Sequence, residues 1–248
     1  MTGGRHGGRG VLVSGGTSGI GLATARRFLA EGARVWILGT RDETLAAALA
    51  DLGSEHAGGC ACDVSVEDEV EASFARALPF LGRLDAAFVN AGIDGQGRSP
   101  LELDARHFRR VLEVNVLGAF LVARAAGRAM RNGGALVFNG SVSGLQAEPG
   151  FADYNASKGA VVLLGRSFAR DLGGHGFWVT VVCPGYVRTR MTEPYLDDPE
   201  TRAELLRWIP SGRVGEADEV ASLVCYLASP EASYMNGSVV TIDGGRLA

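Results

Sequence analysis

No stretch of the chain stays apolar for the roughly 20 residues a membrane span requires, and the opening MTGGRHGGRG lacks the apolar core of a signal peptide. Basic residues are not in excess: 24 Lys and Arg against 28 Asp and Glu give a net charge of −4 and a pI near 5.6. Nothing therefore points to nucleic acid or to an anionic membrane as a partner. Cysteine is scarce. The four present, Cys60, Cys62, Cys183 and Cys225, have neither zinc-ligand spacing nor the density of a disulfide framework, so reduced thiols and no metal site are expected. No internal repeat, low-complexity insert or change of composition divides the 248 residues. These absences leave a soluble, cytoplasmic protein with a disordered tail over residues 1–9 and a single folded domain over 10–248.

What is abundant is hydrophobic content, at 46%, and glycine, whose 36 residues are spread along the chain as tight strand-to-helix turns require. Short apolar runs at 10–13, 34–38, 59–61, 85–89, 135–138, 177–182 and within 237–245 read as strands. Helical spacing of apolar residues lies between them: to about Glu31, over 42–52, 67–78 and 216–227, in a long segment from about Asp104, and from about Ala152. Strands that are apolar without alternation, each followed by a helix, predict an α/β fold with a parallel sheet covered on both faces.

The stretch from Gly134 to Lys158, GALVFNGSVSGLQAEPGFADYNASK, carries the chemistry. Tyr154 and Lys158, four residues apart, share a helix face. Ser141 follows the strand at 135–138, where ligands of an open parallel sheet collect. A phenol titrates near pH 10, and bringing it to about 7 takes roughly 4 kcal/mol, which a neighbouring ammonium can supply. The three then read as an acid–base tyrosine, a lysine that tunes it, and a serine that holds a carbonyl or alcohol oxygen. The same spacing also describes an ordinary surface helix pair whose lysine snorkels to solvent.

Ser14-Gly15-Gly16-Thr17-Ser18-Gly19-Ile20-Gly21 follows the first strand and opens a helix. Glycines there permit the sharp turn and the close approach of backbone to a pyrophosphate at a helix N-terminus. The second strand ends in Gly39-Thr40-Arg41. It lacks the acid that would hold the ribose hydroxyls of NAD, and Arg41 suits a 2′-phosphate, so NADP(H) is favoured and NAD(H) remains possible. Arg41 also reads as a solvated residue at a helix start. Asn115 falls on the apolar stripe of the long helix with Phe108, Val111, Leu112, Ala119 and Val122, where an amide needs partners; a satisfied core asparagine is one reading of it.

In this order the residues resemble the short-chain dehydrogenase/reductase family, in its compact single-domain branch. The resemblance rests on Ser141 thirteen residues before Tyr154-Asn155-Ala156-Ser157-Lys158, and on the G-x-x-x-G-x-G turn, where Ser14 replaces the family's threonine. It rests further on Asp63-Val64, on Asn90-Ala91-Gly92 with Val89 in place of a first asparagine, and on Pro184-Gly185 followed by Val187 and Thr189.

The resemblance implies a Rossmann fold with a doubly wound seven-stranded parallel sheet. It implies an NAD(P)-dependent enzyme passing hydride between nicotinamide and a ketone or secondary alcohol, similar to 3-oxoacyl-ACP reductase-like and secondary-alcohol dehydrogenases. Tyr154 would move the proton, Ser141 hold the substrate oxygen, Lys158 lower the tyrosine pKa and bind ribose, and Asn115 hold a relay water. Asp63 would accept from the adenine amino group and Val64 serve its ring. Asn90, Ala91 and Gly92 would leave room for cofactor, and in the segment that opens with Pro184 and Gly185 the backbone near Val187 would meet the nicotinamide carboxamide and Thr189 the carboxamide or a phosphate. A rim at 94–99 and a lid at about 188–210 would shape the site, with Tyr186, Tyr195 and Trp208 suiting an apolar or ring-containing substrate. The resemblance also implies a homo-oligomer, dimer or tetramer. A non-catalytic NADP-binding sensor and a same-fold reductase of C=N or C=C bonds are the alternatives.

Overall fold

The strands are apolar at consecutive positions because the computed structural model, which describes residues 4–248, covers both sides of the sheet. Along β1 (Gly10–Ser14), Val11 and Val13 enter one core and Leu12 the other. A period of two produces that split. The elements that follow are α1 (Gly19–Ala30), β2 (Arg34–Gly39), α2 (Asp42–Leu52), β3 (Ala57–Ala61), α3 (Glu67–Leu81), β4 (Ala86–Val89), α4 (Ala105–Leu112), α5 (Gly118–Ala129), β5 (Gly134–Asn139) and α6 (Ala152–Leu172). The chain ends with β6 (Phe177–Pro184), β7 (Val187–Arg188), α7 (Glu193–Leu196), α8 (Pro199–Arg207), β8 (Gly215–Glu216), α9 (Ala217–Leu227) and β9 (Val239–Ile242).

Seven strands form one parallel sheet in the order β3-β2-β1-β4-β5-β6-β9, and β7 pairs with β8 apart from it. Phe28 of α1 and Val220 and Val224 of α9 pack on one face; Phe74 of α3, Val122 of α5 and Val161 of α6 pack on the other. The strand order reverses between β1 and β4, which opens a crevice at their carboxyl ends. No helix among the described residues is long and apolar enough to cross a membrane.

Three expectations are corrected. The helix read to residue 78 continues through Pro79 to Leu81, because Leu81 is buried and Phe80 packs on the core, and that anchoring outweighs one lost backbone bond. The weak strand starts at Ala57, and its glycines are needed: a Cβ on Gly58 would lie 2.8 Å from the Trp36 ring. The expected tail is folded from Gly4 onward, with residues 1–3 lying outside the described residues. His6 is fully buried, with Nε2 2.9 Å from the Cys225 carbonyl oxygen and Nδ1 3.1 Å from the Arg9 guanidinium. Arg9 also donates to the carbonyls of Asp85 and Ala228. Composition counted glycine and charge, whereas these two side chains find buried partners.

Candidate active site

The wall of the crevice begins where β1 turns into α1. Gly15 and Gly19 adopt φ of 65° and 51°, in the left-handed region that favours glycine. A Cβ on Gly21 would lie 2.1 Å from the Gly15 carbonyl oxygen, so backbone alone fits there. Ser18, at the helix N-cap, makes no side-chain cap bond. The first N–H groups of α1 are thus free of a capping side chain at the end that attracts anions.

Ser14 ties this turn to β4: its Oγ accepts from the N–H groups of Asn90 (2.9 Å) and Ala91 (3.1 Å). The Asn90 amide returns bonds to the carbonyls of Ser14 and Gly15, and Asn139, the last residue of β5, donates to Asn90 Oδ1 (2.8 Å). The hydroxyl is what this position requires, and serine supplies it.

Asn139 also fixes the lysine. Lys158 Nζ donates to the Asn139 carbonyl oxygen (2.8 Å) and lies 5.5 Å from the centroid of the Tyr154 ring. With 4% of its surface exposed, Lys158 is no snorkelling surface residue. Ser141 accepts from the Ser143 N–H (3.1 Å) at the start of a short 3-10 turn, Val142–Gly144. A Cβ on Gly144 would meet the Lys158 backbone at 2.6 Å, so that turn and α6 are pressed together and Ser141 and Tyr154 are set by one contact.

The long helix read from Asp104 is broken. Between α4 and α5 it makes a π turn, Glu113–Leu117, a form found mostly at functional sites. Asn115 lies within it, buried, with Oδ1 accepting from the Ile93 N–H (2.8 Å) and Nδ2 donating to the Ile93 carbonyl and to Ser157 Oγ. Ser157 in turn donates to the Tyr154 carbonyl (2.8 Å). Asn115 is therefore a fully partnered core amide that joins the rim to the tyrosine's helix. A Cβ on Gly92 would stand 3.2 Å from its Oδ1 and 3.7 Å from Lys158 Nζ.

Desolvation sets the direction of both shifts at the site. Burial pushes the Tyr154 phenol well above its ordinary value, the Asp94 carboxylate pushes the same way, and the hydrogen bond with Ser141 pulls back only part of the shift. Burial also lowers the Lys158 ammonium to about 8, against the fields of Cys183 and Asp94. Desolvation is the largest cause of the shift at both groups, and one of the three Lys158 ammonium donors is given to the Asn139 carbonyl. A neutral phenol is a proton donor.

The crevice holds about 330 Å³. Gly15, Thr17, Ser18, Gly19, Ile20, Gly21, Thr40, Asp63, Val64, Asn90, Ala91, Gly92, Ser141, Tyr154, Lys158, Pro184, Gly185, Val187 and Thr189 all line it. Two expected residues do not. Asn115 stands behind Gly92, and Arg41 is exposed on extended backbone at the start of α2. Trp208, expected to shape the substrate, is 70% exposed.

Sequence reading missed Arg110 and Asn139 on the wall, and Asp153 next to Tyr154. Arg110 donates to Asp63 Oδ2 (2.8 Å). Burial raises the Asp63 pKa, but the bonds from Ser65 and Arg110 outweigh it and hold the carboxyl below its ordinary range. Asp153 is fully buried, accepts from the N–H groups of Tyr154 and Gln96, and so fastens the rim to α6. Asn139, a polar residue closing an apolar strand, was the one signal available.

The glycine wall and the uncapped helix fit the pyrophosphate of a dinucleotide, and the far end of the same wall offers a proton. Those two capacities in one crevice define a dinucleotide-dependent oxidoreductase. Comparison with known proteins makes the class particular. Residues 15–246 match the family model described as Enoyl-(Acyl carrier protein) reductase. The chain is 38% identical over 245 residues to 2-(R)-hydroxypropyl-CoM dehydrogenase of Xanthobacter autotrophicus, covering 96% of this chain and 98% of that protein. It is 36% identical over 250 residues to levodione reductase of Leifsonia aquatica, covering 96% and 94%. A crystal structure of levodione reductase matches with a TM-score of 0.92 at 36% identity, covering 97% of this chain and 98% of that one. The chain belongs to the short-chain dehydrogenase/reductase family, and it is an NAD(P)-dependent oxidoreductase of ketones and secondary alcohols.

Proposed function

We propose that this enzyme prefers NADP(H) and works chiefly as a ketone reductase, with Tyr154 as the proton donor. The observation that carries the reading is the grouping of the half-buried Tyr154, the buried Lys158 and Ser141 in one crevice: a phenol that can give a proton stands with a hydroxyl that can hold the substrate oxygen and an ammonium 5.5 Å from the phenol ring. When bound, the nicotinamide supplies the hydride. The chain's own part is placement and the proton. Ser141 Oγ holds the carbonyl oxygen, and the Tyr154 phenol protonates it as the alcohol forms; the reverse direction returns that proton to the phenolate. Lys158 keeps two ammonium donors beyond the one given to Asn139, enough to hold ribose hydroxyls. Asn115 positions the rim and Tyr154 through Ile93 and Ser157.

The cofactor preference rests on β2. A Cβ on Gly39 would lie 2.3 Å from Thr17 Cγ2, so the Thr17 side chain would have to move before the acid that would repel a 2′-phosphate could stand there. Arg41 stands exposed two residues on, and among the described residues only its backbone carbonyl is engaged, by the Thr44 hydroxyl and the Leu45 N–H. The segment of β7, α7 and α8 acts as the lid. The enzyme works in the cytoplasm as a homo-oligomer, a role for which Leu163 on α6, 65% exposed, supplies apolar surface.

Fluorescence titration of NADPH and NADH on the wild type and on Arg41→Ala tests the preference. NADPH should bind at least about tenfold tighter, roughly 1.4 kcal/mol, and Arg41→Ala should remove the gap. Equal or tighter NADH binding by the wild type would overturn it.

A further inference from the structure

The rim that follows Gly92 carries a carboxylate, Asp94, that makes no ion pair among the described residues. Asp94 Oδ1 accepts from the Gly95 N–H (2.8 Å) and Oδ2 from the Tyr195 phenol (2.8 Å). The ion pairs around it belong to other acids: His107 with Asp153, and Arg246 with Glu148. Its chain neighbours fix its place. Ile93 lines the crevice and a Cβ on Gly95 would stand 3.1 Å from Tyr154 Cβ, so Asp94 lies on the rim between the crevice lining and the start of α6, and its field acts on both Tyr154 and Lys158.

An ionised carboxylate offers about four acceptor sites, and Gly95 and Tyr195 fill two. Tyr195 comes from α7 and packs edge-on against Phe151, ring centroids 6.0 Å apart, so lid and rim hold the acid in one orientation. A fixed anion with acceptor sites to spare, beside the group that protonates the substrate, favours a ligand that donates a hydrogen bond and rejects one that carries negative charge.

We propose that Asp94 is a specificity-determining residue, and that the substrate is an uncharged ketone bearing a hydroxyl close to the reacting carbon, with keto acids and keto sulfonates excluded. This rests on the ketone-reductase reading above. The reaction is the reduction of a hydroxyketone to a diol: hydride adds to the carbonyl carbon, the Tyr154 proton adds to its oxygen, and the second hydroxyl donates to Asp94 unchanged.

Three substrates of similar size test it: 1-hydroxy-2-butanone, 2-pentanone and acetoacetate, each assayed with NADPH. The wild type should show kcat/KM for the hydroxyketone about tenfold or more above that for 2-pentanone, with acetoacetate poorest. Asp94→Ala should erase the preference for the hydroxyketone, chiefly through KM, and Asp94→Asn should raise acetoacetate toward the neutral pair. Tyr195→Phe, which removes the phenol but leaves the carboxylate, should keep the preference. Equal loss on all three substrates in Asp94→Ala, or collapse of the preference in Tyr195→Phe, would make Asp94 a lid contact and overturn the proposal. A wild type that binds NADPH but reduces none of the three would overturn the ketone-reductase reading itself, and this one with it.

Discussion

Lys158 is asked to be charged and buried at once. Its ordinary pKa of 10.5 falls to about 8 because burial disfavours the ammonium, and Asn139 offers it one carbonyl in return. Between pH 8 and 10.5 the unfolded chain therefore binds more protons at this site than the folded one, so stability at this group rises with pH across that window. Lys158→Met should accordingly melt higher than the wild type near pH 7, and the gap should shrink as pH climbs from about 8 toward 10.5. Thermal melts of both proteins over that range check it; a gap independent of pH would contradict it. Tyr154, Lys158 and Ser141 were legible in the sequence because their spacing is local. Asn139, Asp153 and Asp94 were not, because each takes its role from a neighbour distant in the chain: Lys158, the rim, and Tyr195.

At the scale of elements, strands and helices follow from apolar period, and their order is the one read. The π turn at Glu113–Leu117 is invisible to periodicity, since one extra residue in a turn shifts the stripe without breaking it. The end of β2 shows how elements constrain one another. Gly39 is glycine because Thr17 from the β1–α1 turn occupies its Cβ space. Gly39→Asp alone should therefore lower stability by about 1–3 kcal/mol through overpacking and give no gain in NADH binding. The double variant Gly39→Asp with Thr17→Ala should fold near wild-type stability and bind NADH more tightly than NADPH. Melting temperatures and cofactor titrations separate the two outcomes, and an NADH-preferring single variant would contradict the packing argument.

Across the whole molecule, residues 4–9 fasten the start of the chain to α9. His6 sits among Phe28, Cys225 and Arg9, and burial lowers its pKa below 6.5, so the folded state holds it neutral. Below pH 6.5 the unfolded chain takes up the proton first, and stability is lost as pH falls toward the folded value. His6→Gln should be less stable at pH 7 and flatter between pH 7 and 5; chemical denaturation at those values checks it, and a parallel decline would remove His6 from the acid response. Composition could not show this anchoring, because its partners are backbone carbonyls of Cys225, Ala228 and Asp85.

In the proposed mechanism Tyr154 moves the proton in a crevice that binds the cofactor independently of it. The most direct test is Tyr154→Phe, assayed both for NADPH binding by fluorescence and for turnover of the ketone the wild type reduces fastest. Binding should stay within about twofold and turnover should fall by about 10²–10⁴-fold, as the removal of a general acid requires. Turnover retained at the wild-type rate would contradict the mechanism, and binding lost together with turnover would make Tyr154 part of the cofactor wall rather than the proton donor.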